Sequence, residues 1–143
     1  MSEMELSGSF MNEMKLIRNK FAEDYAAETA LIAIGSAIGR ATDKGMAFEQ
    51  IDRIDEIVAA SASEIESTGE IERRRKNLEN QGRLAIIPVS LLPATLEDMI
   101  KLAIRKGLAT ETSERYYNGR TEHGVFYSLT VLGWKWYSGR EMV

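Results

Sequence analysis

The residue types that build catalytic and metal sites are sparse in this sequence. Its one histidine is His123 and it has no cysteine, so no second histidine or thiolate completes a zinc site. The two glycines Gly35 and Gly39 lie in an apolar helical segment and not in a phosphate-binding loop. The acidic group Asp52, Asp55 and Glu56 is typical of the solvated side of a helix. We therefore expect no catalytic residue, no metal and no cofactor, and we predict that the protein is not an enzyme.

Basic side chains that could bind the phosphates of a nucleic acid are concentrated in the second half of the sequence. Residues 1–70 contain 6 Lys and Arg against 14 Asp and Glu, a net charge of -8; residues 71–143 contain 12 against 8, a net charge of +4. Any polyanion contact is therefore expected in the second half. The densest positive run predicts a secondary basic patch: Arg73, Arg74, Arg75 and Lys76. The alternative is an ordinary solvated helix face, balanced by nearby glutamates.

The composition predicts a soluble, cytoplasmic protein. The chain has 143 residues, of which 44% are hydrophobic and 28% charged, a typical globular balance. The longest apolar run, residues 30–38, is too short to span a bilayer, and the acidic start of the chain differs from the basic start of a secretory signal. The absence of cysteine is consistent with a reducing compartment. We expect no membrane contact.

Residues 10–82 have the periodicity of helices that could position these side chains, whereas residues 1–9 have none and are predicted to be a flexible tail. Apolar residues recur at steps of 4, 3, 4 and 4 on one face of the first helix: Phe10, Met14, Ile17, Phe21 and Tyr25. A stripe of small residues then predicts the most buried helix and a close helical neighbour, in the same chain or in a second copy: Ala26, Ala30, Ala33 and Ala37.

Two further helices are expected in this region. The second begins near Ala47 and pairs with the first in an antiparallel hairpin. Its apolar face is Phe48, Ile51, Ile54, Val58 and Ile65. The third ends at Gly82, with Ile71 and Leu78 on its inner side. Residues 10–82 therefore form a helical region that we expect to build the core and to support a homodimer.

Residues 83–143 predict a smaller module with a short antiparallel sheet. Residues 84–87 are β-prone, and a helix runs from an N-cap at Thr95 to Gly107, with Leu96, Met99, Ile100, Ala103 and Ile104 facing the core. Residues 108–117 and 125–132 are the arms of a hairpin, joined by a loop over residues 118–124 that contains Asn118-Gly119. Residues 133–137 begin a final helix or extend the last strand. The predicted fold class is α+β, mainly α.

The order of these elements resembles the winged-helix superfamily, in particular its MarR-like and PadR-like families. The resemblance covers roughly the last 60 residues and rests on three steps in order: Lys106-Gly107-Leu108, Asn118-Gly119-Arg120 and Leu129-Thr130-Val131-Leu132-Gly133. It implies a recognition helix at residues 95–105 that enters the DNA major groove, followed by a wing. The resemblance implies that the protein binds double-stranded DNA and acts as a transcriptional regulator.

The resemblance implies which side chains contact DNA. On the recognition helix they are Lys101 and Arg105, which face outward. On the wing they are Arg115, Asn118, Arg120 and His123. A dimer formed through the helical region would let two wings address a two-fold-related DNA site.

Two departures from the family pattern favour a different function. The helix that should precede the recognition helix has room for one turn at most between Pro88 and Pro93. The first turn of the recognition helix contains Glu97 and Asp98, which repel phosphate. Fold alone does not assign function. The alternative is a non-catalytic protein–protein interaction module, an adaptor or inhibitor that docks a partner through the winged helix or the acidic helical half. Trp134 and Trp136 are expected to be buried in the hairpin core, with stacking on a partner as the alternative.

Overall fold

The computed structural model of the protein describes residues 3–41, 59–81, 87, 91–93, 95–117 and 119–142. Over these residues the fold is α+β and mainly helical, as predicted. The elements in chain order are α1 (Glu3–Ala41), β1 (Ala60–Ser61), α2 (Ala62–Glu66), α3 (Glu70–Gln81), α4 (Leu96–Arg105), β2 (Ala109–Tyr117), β3 (Arg120–Leu129) and α5 (Val131–Met142).

The long helix α1 begins at Glu3, so residues 3–9, which the sequence assigns to a tail without helical periodicity, are helical. Once a helix has nucleated, each further residue adds one hydrogen bond at little cost, and Gly8 alone does not stop this propagation.

The second half of α1 is the centre of the fold. Its small-residue stripe is almost fully buried, at 0–3% exposure for Ala26, Ala30, Ala33 and Ala37. Helices α3, α4 and α5 of the same chain contact α1. The close neighbour that the stripe predicts is therefore intramolecular. At Gly35 the ring of Tyr137 from α5 lies so close that an added Cβ would be 2.7 Å from it.

The predicted second helix does not continue to Ile65. Residues 42–58 lie outside the described part of the chain, but Ala60–Ser61 form β1 and the short helix α2 follows. Ser61 is extended and its hydroxyl accepts a hydrogen bond from the Glu64 N–H, so it caps α2 instead of continuing a helix. Gly69, at a φ of 70°, then separates α2 from α3.

The sheet is three-stranded and antiparallel in the order β1-β3-β2. The strand beside the hairpin is thus β1; of the predicted strand at residues 84–87, only Ile87 is described, and it lies in a bend. The register pairs Tyr117 with Arg120, which leaves only two residues in the turn. The predicted loop over residues 118–124 is therefore wrong, because β3 already begins at Arg120. Gly119, at a φ of 79°, permits this tight turn.

Helix α5 closes the fold over α1. Trp134 is fully buried and its ring meets that of Tyr137 edge-on, with centroids 5.9 Å apart. The expectation that Trp134 belongs to the core is confirmed, while Trp136 is partly buried against the same cluster. None of the helices in the described ranges is long and apolar enough to cross a membrane.

Candidate nucleic-acid interface

Helix α4 has one apolar and one charged face. Thr95 accepts a hydrogen bond from the Asp98 N–H and so caps the helix, as predicted. The apolar face is packed into the core at Leu96, Met99, Ile100 and Ala103. Lys101 and Arg105 lie on the exposed side, where the sequence placed them. The Nζ of Lys106 lies 2.8 Å from a carboxylate oxygen of Asp24 and fixes the end of α4 to α1.

The segment that joins α4 to β2 is hydrogen-bonded to the segment that joins β3 to α5. The Thr130 hydroxyl donates a 2.7 Å hydrogen bond to the Gly107 carbonyl and accepts one from the Gly133 N–H at 3.0 Å. Gly107 has a φ of 75°, and Gly133 lies against the carbonyl of Leu108. The two glycines and the threonine of the motifs Lys106-Gly107-Leu108 and Leu129-Thr130-x-x-Gly133 thus hold α4 at a fixed position relative to the hairpin.

The tip of the hairpin presents two of the predicted contact residues. Arg120 follows the turn directly and is exposed. His123 is also exposed, with its Nδ1 3.8 Å from a carboxylate oxygen of Glu114 on the paired strand. Asn118 lies outside the described residues. The tip therefore presents charges of both signs, the Arg120 cation and the Glu114 carboxylate.

Arg115 does not belong to this surface, which contradicts the prediction that it contacts DNA. Its side chain is only 7% exposed and makes two hydrogen bonds of 2.7 and 2.8 Å to the Glu64 carboxylate. It also donates to Glu122 at 3.1 Å and to the Ala59 carbonyl at 2.9 Å, and it lies over the Phe126 ring. A β-strand directs alternate side chains to opposite faces, and Arg115 falls on the face covered by α2.

This buried ion pair shifts the pKa values of both partners. Hydrogen bonds from Arg115 lower the pKa of Glu64, against the opposing effect of burial. Hydrogen bonds to Glu64 raise the pKa of Arg115, again against burial. Each partner thus stabilises the charged form of the other. The pair joins the hairpin to α2 and β1.

Most of the basic side chains on α3 contact other groups of the same chain. Arg73 forms an ion pair with Glu70 and donates to the Thr68 carbonyl. Arg74 pairs with Glu28 at 3.3 Å and lies 4.0 Å above the Tyr25 ring. Arg75 donates to the Pro93 carbonyl. The predicted secondary patch is thereby reduced: Arg73 and Lys76 are exposed, and the charge of Arg73 is already paired with Glu70.

Carboxylates surround the exposed cations of α4. Lys101 lies 3.6 Å from Glu97, and both side chains are well exposed, so this pair is weak. A groove beside α4 is lined by Glu23 of α1, Glu111 of β2 and Asp98, as well as by Lys101 and Arg105. Burial, with repulsion from Glu111 and Glu97, raises the pKa of Tyr127, which also indicates acidic surroundings.

Sequence reasoning missed Glu64 and Glu23 as members of these sites. Glu64 is 51 residues from Arg115 in the chain, and its neighbours give no local pattern that indicates the pairing. Glu23 lies on the predicted outer side of α1, without an indication that α4 would pack next to it. Among the described residues, no group of histidine and carboxylate side chains could hold a metal ion. Asp52, Asp55 and Glu56 lie outside that part of the chain.

No protein-family model, curated protein or solved structure matches this chain. The winged-helix resemblance therefore stays a prediction, drawn from sequence motifs and their order.

Proposed function

We propose that this protein is a cytoplasmic, winged-helix-type DNA-binding protein that acts as a transcriptional regulator. Helix α4 is the recognition helix and the β2–β3 hairpin is the wing. The observation that supports this most is the interlock of Gly107, Thr130 and Gly133, which fixes α4 against the hairpin while Lys101 and Arg105 remain exposed.

The physical argument concerns shape and charge. A helix fits the major groove of B-DNA, and a rigid two-stranded hairpin next to it can reach the sugar–phosphate backbone. Lys101 and Arg105 would face the groove, and Arg120 would neutralise a phosphate at the wing tip, with His123 beside it. The proposed contact set thus omits Arg115, whose charge is satisfied by Glu64 and Glu122.

A second function is favoured by the carboxylates around α4. Glu97, Asp98 and Glu111 lie beside the two cations, and they would attract a basic protein surface as readily as they repel phosphate. In this alternative the protein is a non-catalytic adaptor or inhibitor that docks a partner through the same surface.

The first experiment is fluorescence anisotropy with a random-sequence DNA duplex at about 50 mM and about 200 mM salt. Binding that weakens steeply between the two salt concentrations would indicate release of counterions from neutralised phosphates. Absence of binding at the lower concentration would contradict the DNA proposal and favour the protein-docking alternative.

Three single variants test which cations belong to the DNA contact surface. Arg105→Ala and Arg120→Ala should each weaken binding and reduce its salt dependence by about one released counterion. Lys135→Ala on α5 removes another exposed cation, outside the proposed surface, and should leave both the affinity and its salt dependence unchanged. If both arginine variants bind as the wild type does, the contact surface lies elsewhere on the protein.

A further inference from the structure

The first half of α1 extends an exposed apolar stripe into solvent. Every side chain from Asn12 to Phe21 is exposed, and we call this segment the α1 arm. Met14, Ile17 and Phe21 are 37%, 47% and 45% exposed although they form one helical face. An amphipathic helix normally buries such a face. An exposed apolar face of this kind is typical of a surface that binds a partner.

The α1 arm is basic, in contrast to the acidic half of the chain in which it lies. It contains three cations, Lys15, Arg18 and Lys20, against one carboxylate, Glu13, a net charge of +2. All four side chains are exposed. Its natural binding surface is therefore apolar at the centre and acidic at the rim.

A surface of this kind lies at the base of the arm. The groove beside α4, which we call the α4 groove, has a volume of about 780 Å³. Its apolar lining comes from Leu102, Ile104 and Pro93. Its carboxylates are Glu23, Asp98 and Glu111, and Lys101 and Arg105 complete it. The groove thus has three carboxylates against two cations, and a further carboxylate, Glu97, lies 3.6 Å from Lys101.

We propose that the α4 groove binds the α1 arm of a second copy of this chain, in a reciprocal dimer. The apolar stripe of the arm covers Leu102 and Ile104, and Lys15, Arg18 and Lys20 face Glu23, Asp98 and Glu111. Because Glu23 follows the arm directly in the sequence, two copies exchange arms in an antiparallel orientation about a two-fold axis. The inference rests on this complementarity and needs no DNA. Because Lys101 and Arg105 also line the groove, an arm bound there would compete with DNA for these two side chains.

A charge exchange tests the pairing directly. The arm variant is Lys15→Glu, Arg18→Glu and Lys20→Glu, and the groove variant is Glu23→Lys and Glu111→Lys. Each variant alone places like charges on both surfaces, whereas a mixture of the two restores opposite charges at both contacts. Light scattering and analytical ultracentrifugation measure the association, and circular dichroism verifies that each variant is folded.

We expect wild-type dimers at about 50 µM, a dimer dissociation constant raised at least about tenfold in each variant alone, and heterodimers in the mixture. The uncharged variant Ile17→Ser/Phe21→Ser should also be monomeric. A control that reverses exposed cations elsewhere, Lys76→Glu/Lys135→Glu, should dimerise as the wild type does.

Three results would overturn the proposal. The first is a monomeric wild type at this concentration. The second is a groove variant that still dimerises while Ile17→Ser/Phe21→Ser does not, because the arms would then pair with each other. The third is a mixture of arm and groove variants that stays monomeric.

Discussion

Arg115 is the residue whose removal should cost the fold most among the charged side chains. It joins β2 to α2 and β1 through Glu64, Glu122 and the Ala59 carbonyl, and its side chain is almost fully buried. Arg115→Met keeps the apolar stem but leaves Glu64 without its cation. We expect the free energy of unfolding, measured in urea, to fall by about 2–3 kcal/mol. Arg105→Met, an exposed arginine, should change it by less than about 0.5 kcal/mol; equal effects would contradict a structural role for Arg115.

The same pair predicts a pH dependence. The pKa of Glu64 is lowered from its ordinary value of 4.5 in the folded protein, so folding favours the ionised carboxylate. This contribution is fully present above the unfolded pKa and is lost as the pH falls through the folded pKa. Thermal unfolding between about pH 6 and about pH 3 should therefore show a smaller loss of stability in Glu64→Gln than in the wild type. Parallel curves for the two proteins would rule out this linkage.

Gly133 is required for a close approach of two chain segments. A methyl group on this residue would overlap the carbonyl oxygen of Leu108, which belongs to the backbone and cannot rotate away. Gly133→Ala should destabilise the protein by about 1–3 kcal/mol in urea unfolding. Gly139→Ala in the same helix has no described atom within 4 Å of the added methyl and should stabilise slightly through helix propensity. A neutral Gly133→Ala would show that β2 and α5 can separate freely.

For single residues, the sequence correctly predicts the features that depend on residues nearby in the chain. The Thr95 cap, the Gly107 stop and the outward position of Lys101 and Arg105 follow from local spacing, and the structure confirms them. The role of Arg115 could not be predicted in this way. Strand alternation allows either face, and the choice is made by Glu64, 51 residues earlier in the chain.

Among the elements, α4 has the clearest test of function. Glu97 and Asp98 lie in its first turn and are exposed, so they would repel a bound duplex. Glu97→Gln/Asp98→Asn should therefore raise the affinity for random DNA several-fold, about 1 kcal/mol, with a shallower gain at higher salt. Glu72→Gln on the exposed side of α3 is the control and should have no effect. A gain in the control alone would move the interface to the basic run of α3.

The elements that the sequence predicts correctly are those with a complete local pattern. Helix α3 ends at Gln81, next to the predicted stop at Gly82, α4 has both caps, and Asn118-Gly119 marks the hairpin. The errors arise where tertiary pairing decides. Ala60 and Ser61 form β1 because they pair with Tyr127 and Phe126, although the surrounding residues have helical periodicity. The continuity of α1 from Glu3 likewise reflects helix propagation and not its weak early periodicity.

For the whole molecule, the alanine stripe was the reason to expect a dimer through the helical half. The structure uses this stripe internally, since α3, α4 and α5 pack around the second half of α1. The exposed apolar surface is instead at Met14, Ile17 and Phe21 of the α1 arm. A long helix can thus serve as the core in one half and present a surface for association in the other.

Dimerisation and DNA binding use part of the same surface. Lys101 and Arg105 line the α4 groove that the arm of a second copy would cover, and they are also proposed DNA contacts. The variant Ile17→Ser/Phe21→Ser should therefore bind random DNA several-fold more tightly than the wild type at about 50 µM protein, measured by anisotropy at about 50 mM salt. Met99 and Ile100, which anchor α4 in the core, are unchanged in this variant.

The two proposals can fail separately in this experiment. Tighter binding by the variant requires both that the arm covers the α4 groove and that Lys101 and Arg105 contact DNA. Equal affinity in a variant shown to be monomeric would mean that the arm and DNA use different surfaces, which contradicts one of the two placements but not DNA binding itself. A monomeric variant that binds no DNA at either salt concentration would leave the arm contact intact and remove the regulator proposal, because association through Ile17 and Phe21 needs no phosphate.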